Sequence, residues 1–277
     1  MSRILIVNSQ GETEVFSPKK VWRSARRAGA SPRQAQEAVE ATSAQVTAGM
    51  STQDIYNIIL SVVRKESPLV GMRLNLKKAI QSLGPTGFPF EQYIASLWRF
   101  YEYSTKTGVM WQGKCVPHEV DVEANKGKDT ELIECKYRVQ PGGRLDLHDL
   151  MASWAYFYDI GLANKDGHIH PLVITNNKLT SEAVTYGECM GLNMIGWRYP
   201  NDRGLEYIIE SNKLYPVTIL PSFKGYAAEV LKNKNILMVR DLLAINPQQL
   251  VRGQHLPQTS VDQLYKEAQL ITGASAS

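Results

Sequence analysis

Alternating polar and apolar residues predict two adjacent strands near the middle of the chain. In the first, residues 119–123, two valines face one side of the strand and Asp121 faces the other. In the second, residues 130–136, Glu134 and Lys136 are two positions apart and so share one face. The polar segment between the strands contains a glycine, as hairpin loops commonly do. The pattern therefore places three charged side chains on two neighbouring strands.

Further periodic segments surround this hairpin. In chain order they predict a helix over 88–103, a strand over 109–115, the hairpin itself, a helix over 145–159, a strand over 169–175, a helix over 181–190 and a strand over 192–199. Residues 205–210 fit either a linking helix or an edge strand. Strands and helices in this order predict an α/β domain.

The segment before residue 86 has a pattern of its own. It predicts strands over 3–7 and 13–16 and helices over 18–28, over 33–47, from 51 and over 69–82. Ser17-Pro18 and Ser31-Pro32 are helix starts, because serine caps a helix and proline fits its first turn. The stretch 83–87 contains two glycines and a proline, which is typical of a boundary. Since the end of the chain is again helical in pattern, we predict three parts, residues 1–85, 86–220 and 221–277.

Composition narrows the class of protein. With 43% hydrophobic and 21% charged residues, the chain can bury hydrophobic cores. No apolar run approaches the roughly 20 residues of a membrane span, and no signal peptide is evident, so we expect a cytoplasmic protein without a membrane partner. The three cysteines are widely spaced and fit neither a disulfide framework nor a zinc site. We expect Cys135 and Cys189 to be small buried residues.

Positive charge is concentrated at the start of the chain. Residues 1–85 contain 12 Lys and Arg against 6 Asp and Glu, a net charge of +6, whereas the whole chain has a net charge of +4. The remaining residues therefore carry a net charge of −2, and net charge alone does not indicate nucleic-acid binding by the central part.

The charged residues of the hairpin suit phosphodiester hydrolysis. Mg²⁺ and Mn²⁺ prefer oxygen ligands, of which Asp121 and Glu134 supply carboxylates. Such ions activate bound water and stabilise charge on the attacking and leaving oxygens. Lys136 is suited to orienting the water or to neutralising the phosphate. The alternative is a solvated hairpin with a surface ion pair, which carries no chemistry.

The segment Asp121…Glu134-Cys135-Lys136 resembles the PD-(D/E)XK nuclease core, in particular its Mrr-like restriction endonuclease branch. The resemblance extends from about Gly87 to Pro200 and implies a restriction-endonuclease-like mixed-sheet core. Residues 88–95 resemble the opening helix of that fold, whose acid often joins the metal site, so Glu91 is a fourth candidate. One departure is that Val120 stands where the family name has proline.

The first 80 residues resemble the ATP-cone, a regulatory nucleotide-binding module of mostly helical structure. The resemblance rests on the glycine turn, on Glu-x-Phe at 14–16 and on Met-Ser-Thr-Gln-Asp-Ile-Tyr at 50–56. It implies ATP or dATP as an effector, with Glu14 and Lys20 at contact positions. Asn8 and Ser9 stand where the family carries a basic pair. The alternative is a module retained for oligomerisation or for DNA contact.

Two further resemblances are more limited. Residues 236–250 resemble a helix-hairpin-helix, which implies contact with the nucleic-acid backbone, with simple helical packing or dimerisation as the alternative. In the nuclease fold, the start of the helix after the hairpin can approach the active site. His148 is therefore a candidate for contacting phosphate, with a solvated histidine as the alternative.

Together these features predict a Mg²⁺- or Mn²⁺-dependent DNA endonuclease in restriction or phage defence, and the ATP-cone resemblance implies that a nucleotide regulates it. Cleavage of both strands with one site per chain would need a dimer or sequential nicking, so we expect a homo-oligomer. Two alternatives remain: a catalytically idle, nucleotide-responsive DNA-binding or regulatory protein, and a nuclease that acts on RNA.

Overall fold

A computed structural model of the chain describes residues 4–8, 10–140, 142–165 and 168–274. Contacts group the residues into two compact units. The first unit comprises Met1–Ala79, Ile219–Ala227 and Asn246–Ser277, and the second comprises Ile80–Thr218 and Ala228–Ile245. The segment expected as a third part, residues 221–277, is thus shared between the two units.

The described residues form strands and helices in the following order along the chain. The strands are β1 (Leu5–Val7), β2 (Thr13–Val15), β3 (Ser104–Gln112), β4 (Pro117–Lys126), β5 (Asp129–Lys136), β6 (Arg144–Leu145), β7 (Ile169–Thr175), β8 (Lys178–Leu179) and β9 (Asn193–Ile195). The helices are α1 (Pro18–Arg27), α2 (Pro32–Gln45), α3 (Thr52–Glu66), α4 (Pro68–Leu74), α5 (Leu76–Gln81), α6 (Phe88–Phe100), α7 (Leu147–Ala163), α8 (Ser181–Cys189), α9 (Leu205–Asn212), α10 (Gly225–Asn233), α11 (Val239–Leu243), α12 (Pro247–Gln254) and α13 (Gln258–Thr272).

In the first unit, β1 and β2 pair antiparallel beside helices that bury small and branched residues. Ser31 caps α2 in a capping box with Gln34, and Ser51 caps α3, as their positions before apolar periodic segments predict. Val21 and Ala25 are the buried residues of α1 and join the core of this unit.

The helix predicted over 69–82 is two helices, α4 and α5. Asn75 ends α4, and its N–H donates to the carbonyl oxygens of Gly71 and Met72. Asn75 Oδ1 accepts the Tyr56 hydroxyl at 2.9 Å, a contact between distant residues that the apolar periodicity does not show.

The second unit is built on a five-stranded mixed sheet with strand order β3-β4-β5-β7-β9. The first three strands are antiparallel neighbours, whereas β5, β7 and β9 run parallel. A second pair, β6 and β8, is also parallel. The mixed α/β class is therefore confirmed. Since β5 lies between β4 and β7, side chains at its carboxyl end have neighbours on both strands.

Helices α6 and α7 pack on this sheet through their apolar residues. The apolar stripe predicted for α6 is confirmed in its first three turns, where Phe90, Ile94 and Leu97 are fully buried. Tyr101, at the end of that stripe, is exposed instead. In α7, Leu150, Phe157 and Ile160 join the core that includes β4, β5 and β7.

Several sequence-based boundaries need correction. The strand expected over 109–115 begins and ends earlier, as β3, and the last strand is three residues long, as β9. Residues 205–210 lie within a helix, α9. Cys135 is buried as expected, whereas Cys189 is exposed at the end of α8, so that expectation was wrong. Within the described residues, no helix is long and apolar enough to cross a membrane.

Candidate active site on β4 and β5

The hairpin of β4 and β5 brings Asp121 next to the end of β5. Val120 and Val122 are fully buried, and Asp121 between them is only partly buried, as the alternation predicts. The Asp121 carboxylate accepts a hydrogen bond from the backbone N–H of Cys135, with 2.7 Å between Oδ2 and N. This bond fixes the carboxylate beside the strand that carries Glu134 and Lys136.

Glu134 and Lys136 form an ion pair on the same face of β5. Lys136 Nζ lies 2.6 Å from Glu134 Oε1, and the two side chains are 22% and 18% exposed, respectively. A pair this sheltered is screened less by solvent than a surface pair. The sequence-based expectation that these two side chains share a face is confirmed, and Cys135 between them is buried.

Glu91 lies in the first turn of α6, and aromatic packing fixes that turn. The ring of Phe90 stacks on Tyr137 with 5.2 Å between centroids. The Tyr137 hydroxyl in turn donates to the carbonyl oxygens of Gln81 and Gly84, at 2.7 and 3.1 Å. Tyr137 directly follows Lys136 in the chain, so α6 is tied to the end of the strand that carries the candidate lysine.

The carboxylates are close enough to affect one another's protonation. Burial raises the pKa of Asp121 from 3.8 to about 7, with Glu134 adding to the rise, the Cys135 N–H opposing it, and Glu91 adding again. Burial also raises the pKa of Glu91, and the charges of Glu119 and Glu134 raise it further. Like charges thus converge here, with Lys136 as a cation among them.

The carboxylates of this site are the kind of ligand that a hard divalent cation prefers. Asp121, Glu134 and Glu91 offer carboxylate oxygens, which Mg²⁺ and Mn²⁺ prefer, and their mutual repulsion is what a bound cation relieves. In the described part of the chain, no three His, Cys, Asp or Glu side chains stand in a ready-made metal cluster. A site would thus include waters or substrate oxygens, as Mg²⁺ sites commonly do.

Tyr156 on α7 reaches the same carboxylates, and the sequence pattern did not single it out. Its hydroxyl donates to the carbonyl oxygen of Glu119 at 3.3 Å and lies close enough to Glu134 and Asp121 to be affected by their charges. Burial raises the pKa of Tyr156, and the charges of Glu134 and Asp121 raise it further. A neutral phenol at this position ties α7 to the backbone of β4 beside the carboxylates.

Asp159, one turn further along α7, anchors the helix to the β3–β4 turn. Its carboxylate lies 2.7 Å from His118 Nε2 and accepts the backbone N–H of Cys115 at 2.9 Å. The hydrogen bond from His118 lowers the pKa of Asp159 to about 2. The His118 ring meets Tyr156 edge-on, with 5.1 Å between centroids. This chain of contacts fixes the position of Tyr156 beside the carboxylates.

The end of β7 braces the end of β5. Thr175 Oγ1 donates to the Lys136 carbonyl oxygen at 2.7 Å. The carboxamide of Asn176, which is fully buried, accepts from the backbone N–H of Arg138 at 2.9 Å and donates to its carbonyl oxygen at 2.8 Å. These bonds hold the backbone on both sides of Tyr137. The sequence offered a weak signal for them, namely polar residues that directly follow a buried strand.

His148 takes no part in the contacts described above. It is exposed in the first turn of α7. Its neighbour Asp149 pairs with Arg138, at 2.9 Å between Oδ1 and the guanidinium. None of the hydrogen bonds or ion pairs of the described residues joins His148 to the carboxylates, and its contact with phosphate stays a prediction.

In the first unit, the two residues predicted to contact nucleotide pair with each other. Lys20 Nζ lies 2.8 Å from Glu14 Oε2. The Asn8 side chain accepts the backbone N–H groups of Gln10 and Glu12 and so shapes the turn before β2. Ser9, the other position of the missing basic pair, lies outside the described residues. Nucleotide binding by this unit stays a prediction.

No family model matches the sequence. Among curated proteins, the chain is 34% identical over 157 residues to an uncharacterized protein of Archaeoglobus fulgidus. The alignment covers 57% of this chain and 87% of that protein. The chain belongs to the family of that archaeal protein.

A comparison with solved structures gives two matches. The crystal structure of AF1548, a protein of unknown function, is 30% identical, with a TM-score of 0.56 over 68% of this chain and 100% of its own. Protein VC1899 from Vibrio cholerae is 17% identical, with a TM-score of 0.33 over 67% of this chain and 51% of its own. Neither the archaeal relative nor AF1548 has an assigned activity, so the functional argument depends on the site itself.

Proposed function

We propose that the chain is a divalent-metal-dependent DNA endonuclease whose site is formed by Asp121, Glu134, Lys136 and Glu91. The observation that carries the proposal is the sheltered pair of Lys136 and Glu134, 2.6 Å apart, directly beside a carboxylate whose pKa is raised to about 7. An acid cluster with one lysine, placed on two adjacent strands, suits hydrolysis of a phosphodiester.

The arrangement of elements supports a restriction-endonuclease-like core. In the second unit, a helix precedes an antiparallel hairpin, and parallel strands and a further helix follow it. The acids lie on the first helix and on the hairpin, and the lysine lies two residues after the second acid. These are the positions that the resemblance to PD-(D/E)XK nucleases implies. The nuclease assignment in this unit rests on that agreement together with the site chemistry.

In this proposal Asp121 and Glu134 hold the metal, and Glu91 contributes directly or through water. The metal, when bound, would activate water and stabilise negative charge on the scissile phosphate. The Lys136 ammonium, which pairs with Glu134, would orient the water or neutralise charge in the transition state. Bonds from Cys135 and Thr175 fix the backbone around these groups before substrate arrives.

The test is cleavage of supercoiled plasmid by the purified full-length chain, with and without Mg²⁺. Glu134→Ala and Lys136→Ala should each abolish nicking, because each removes one of the groups that the chemistry needs. Lys128→Ala is the matched control, since Lys128 is exposed in the turn of the same hairpin. This variant should cleave like wild type. Thermal unfolding of each variant checks that the fold is intact.

The result that would refute the proposal is full cleavage by either site variant, or loss of cleavage in the Lys128 control alone. Repeating the assay with single-stranded RNA distinguishes an RNA substrate, and adding ATP or dATP tests the nucleotide switch. Absence of cleavage on all substrates would favour the catalytically idle alternative.

A further inference from the structure

Helix α1 of the first unit exposes a dense group of cations. Five of its ten residues are Lys or Arg, and none is acidic. All five are exposed: Lys19, Lys20, Arg23, Arg26 and Arg27. The helix thus accounts for a large part of the positive charge of residues 1–85. We call this surface the α1 cationic face.

Helical geometry puts these five side chains on one side of α1. At about 100° per residue, the five positions fall within an arc of about 120°. Val21 and Ala25 lie on the opposite side, where they are 3% and 0% exposed and join the core. The face therefore points away from the core of its own unit as one continuous strip.

Most of the charge on this face has no carboxylate partner among the ion pairs of the described residues. Lys20 pairs with Glu14 at 2.8 Å, whereas Lys19, Arg23 and Arg26, spread along some 15 Å of helix, take part in none of the ion pairs of the described residues. By contrast, α2 carries the acids Glu37 and Glu40, and its Arg33 pairs with Glu37 at 3.0 Å. The density of charged side chains on α1 and their single, positive sign thus distinguish it from an ordinary solvated helix.

An aromatic side chain borders the α1 cationic face. Trp22 is 39% exposed, and the guanidinium of Arg26 lies over its ring at 5.8 Å from the centroid. Arginine and an exposed indole together suit contact with phosphate and with the edge of a sugar or base. An acidic lipid surface fits less well, because interfacial helices insert an apolar face, and the apolar side of α1 is already buried.

We propose that the α1 cationic face binds the phosphate backbone of duplex DNA without sequence specificity. Duplex DNA carries about one negative charge per 1.7 Å of its axis, so a helix of this length faces several phosphates at once. This inference adds to the proposed function, since it names the surface that would hold the nuclease substrate. It also assigns this unit a role in DNA contact, independent of any nucleotide effector.

The test measures DNA binding separately from cleavage. Fluorescence anisotropy of a labelled 30-base-pair duplex is followed in EDTA, with full-length protein that carries Lys136→Ala to prevent cleavage. On that background the test variant carries Arg23→Gln, Arg26→Gln and Arg27→Gln. The control carries Arg33→Gln, Arg64→Gln and Lys65→Gln, exposed cations of α2 and α3 with the same loss of charge.

The α1 variant should bind at least about tenfold more weakly at 0.1 M salt. The slope of log affinity against log salt concentration should be less steep by up to about 2.7, which corresponds to about 0.9 for each lost phosphate contact. The control should stay within about twofold of the parent protein. Because Arg26 donates to the Ala30 carbonyl oxygen, thermal unfolding checks the fold, and Lys19→Gln with Arg23→Gln is a milder second variant.

Unchanged DNA binding by both α1 variants would overturn the inference. Equal weakening in the control would also overturn it, since net charge rather than this face would then explain binding. Binding of the parent protein to phosphatidylserine vesicles but not to DNA would replace it with a membrane surface. If the α1 variant loses binding while wild type cleaves nothing, the proposed nuclease function fails and the DNA-binding inference stands.

Discussion

Replacing Asp121 with asparagine should abolish catalysis and at the same time stabilise the protein at neutral and alkaline pH. Asparagine keeps an oxygen that accepts the Cys135 N–H, now 2.7 Å from Oδ2, while it removes the charge. Burial and the negative charges of Glu134 and Glu91 disfavour the ionised form of the Asp121 carboxyl group. Functional sites often carry such destabilising groups, because the chemistry needs them.

The size of the effect follows from the raised pKa. The pKa of Asp121 is about 7 in the folded chain and 3.8 without the fold. The native state therefore holds the proton more tightly, and stability falls as pH rises from about 4 to about 7. At about 1.4 kcal/mol per tenfold change in proton affinity, the upper bound is roughly 4 kcal/mol. Because Asp121 is partly exposed, screening lowers the expected gain to about 2 kcal/mol.

Urea unfolding in EDTA at pH 4.5 and pH 8 measures this effect. Wild type and Asp121→Asn should differ little at pH 4.5, and the variant should be more stable by about 2 kcal/mol at pH 8. Asp202→Asn is the control, because its side chain is 78% exposed and should have the same small effect at both pH values. A variant that is no more stable than wild type at pH 8 would refute the proposed carboxylate repulsion.

Two further predictions concern residues that the sequence pattern did not identify. Tyr156→Phe should lower the cleavage rate by about 10- to 100-fold and raise the Mg²⁺ concentration needed for half-maximal activity, with DNA affinity unchanged, because it removes the hydroxyl beside Glu119 and Glu134 and keeps the ring; an unchanged metal requirement would contradict that role. Asn176→Ala should lower the free energy of unfolding by about 2–4 kcal/mol, since it leaves the backbone N–H and carbonyl of Arg138 unpaired. Urea unfolding measures this loss. The control is Asn193→Ala at an exposed site, which should change the free energy of unfolding by less than about 0.5 kcal/mol. A change as small as this in Asn176→Ala would show that the Asn176 hydrogen bonds do not stabilise the fold.

The parts of the fold that the sequence predicted are those governed by local pattern. Alternation on β4 and β5 placed Asp121, Glu134 and Lys136 correctly, because a buried valine on each side leaves one orientation for the acid. The helix starts at Ser31 and Ser51 were also predicted from the sequence, because their capping hydrogen bonds join residues only three positions apart.

The parts that the sequence did not predict depend on long-range packing. Tyr156 lies 22 residues after Glu134 in the chain, and only the docking of α7 brings them together. Nor does any local signal show that residues 246–277 group with the start of the chain, where Glu267 accepts the backbone N–H of Ser222 at 2.9 Å within the first unit. Exposed Cys189 was mispredicted, because composition alone does not show which face of α8 is covered.

The central claim is that the carboxylates on α6, β4 and β5 form one divalent-metal site. Titration of Mn²⁺ into the protein, followed by the loss of the electron paramagnetic resonance signal of free Mn²⁺, measures this directly. We predict one site per chain in wild type, strongly weakened in Asp121→Asn and in Glu134→Gln, and competed by Mg²⁺. Equal Mn²⁺ binding by wild type and both variants would contradict the account.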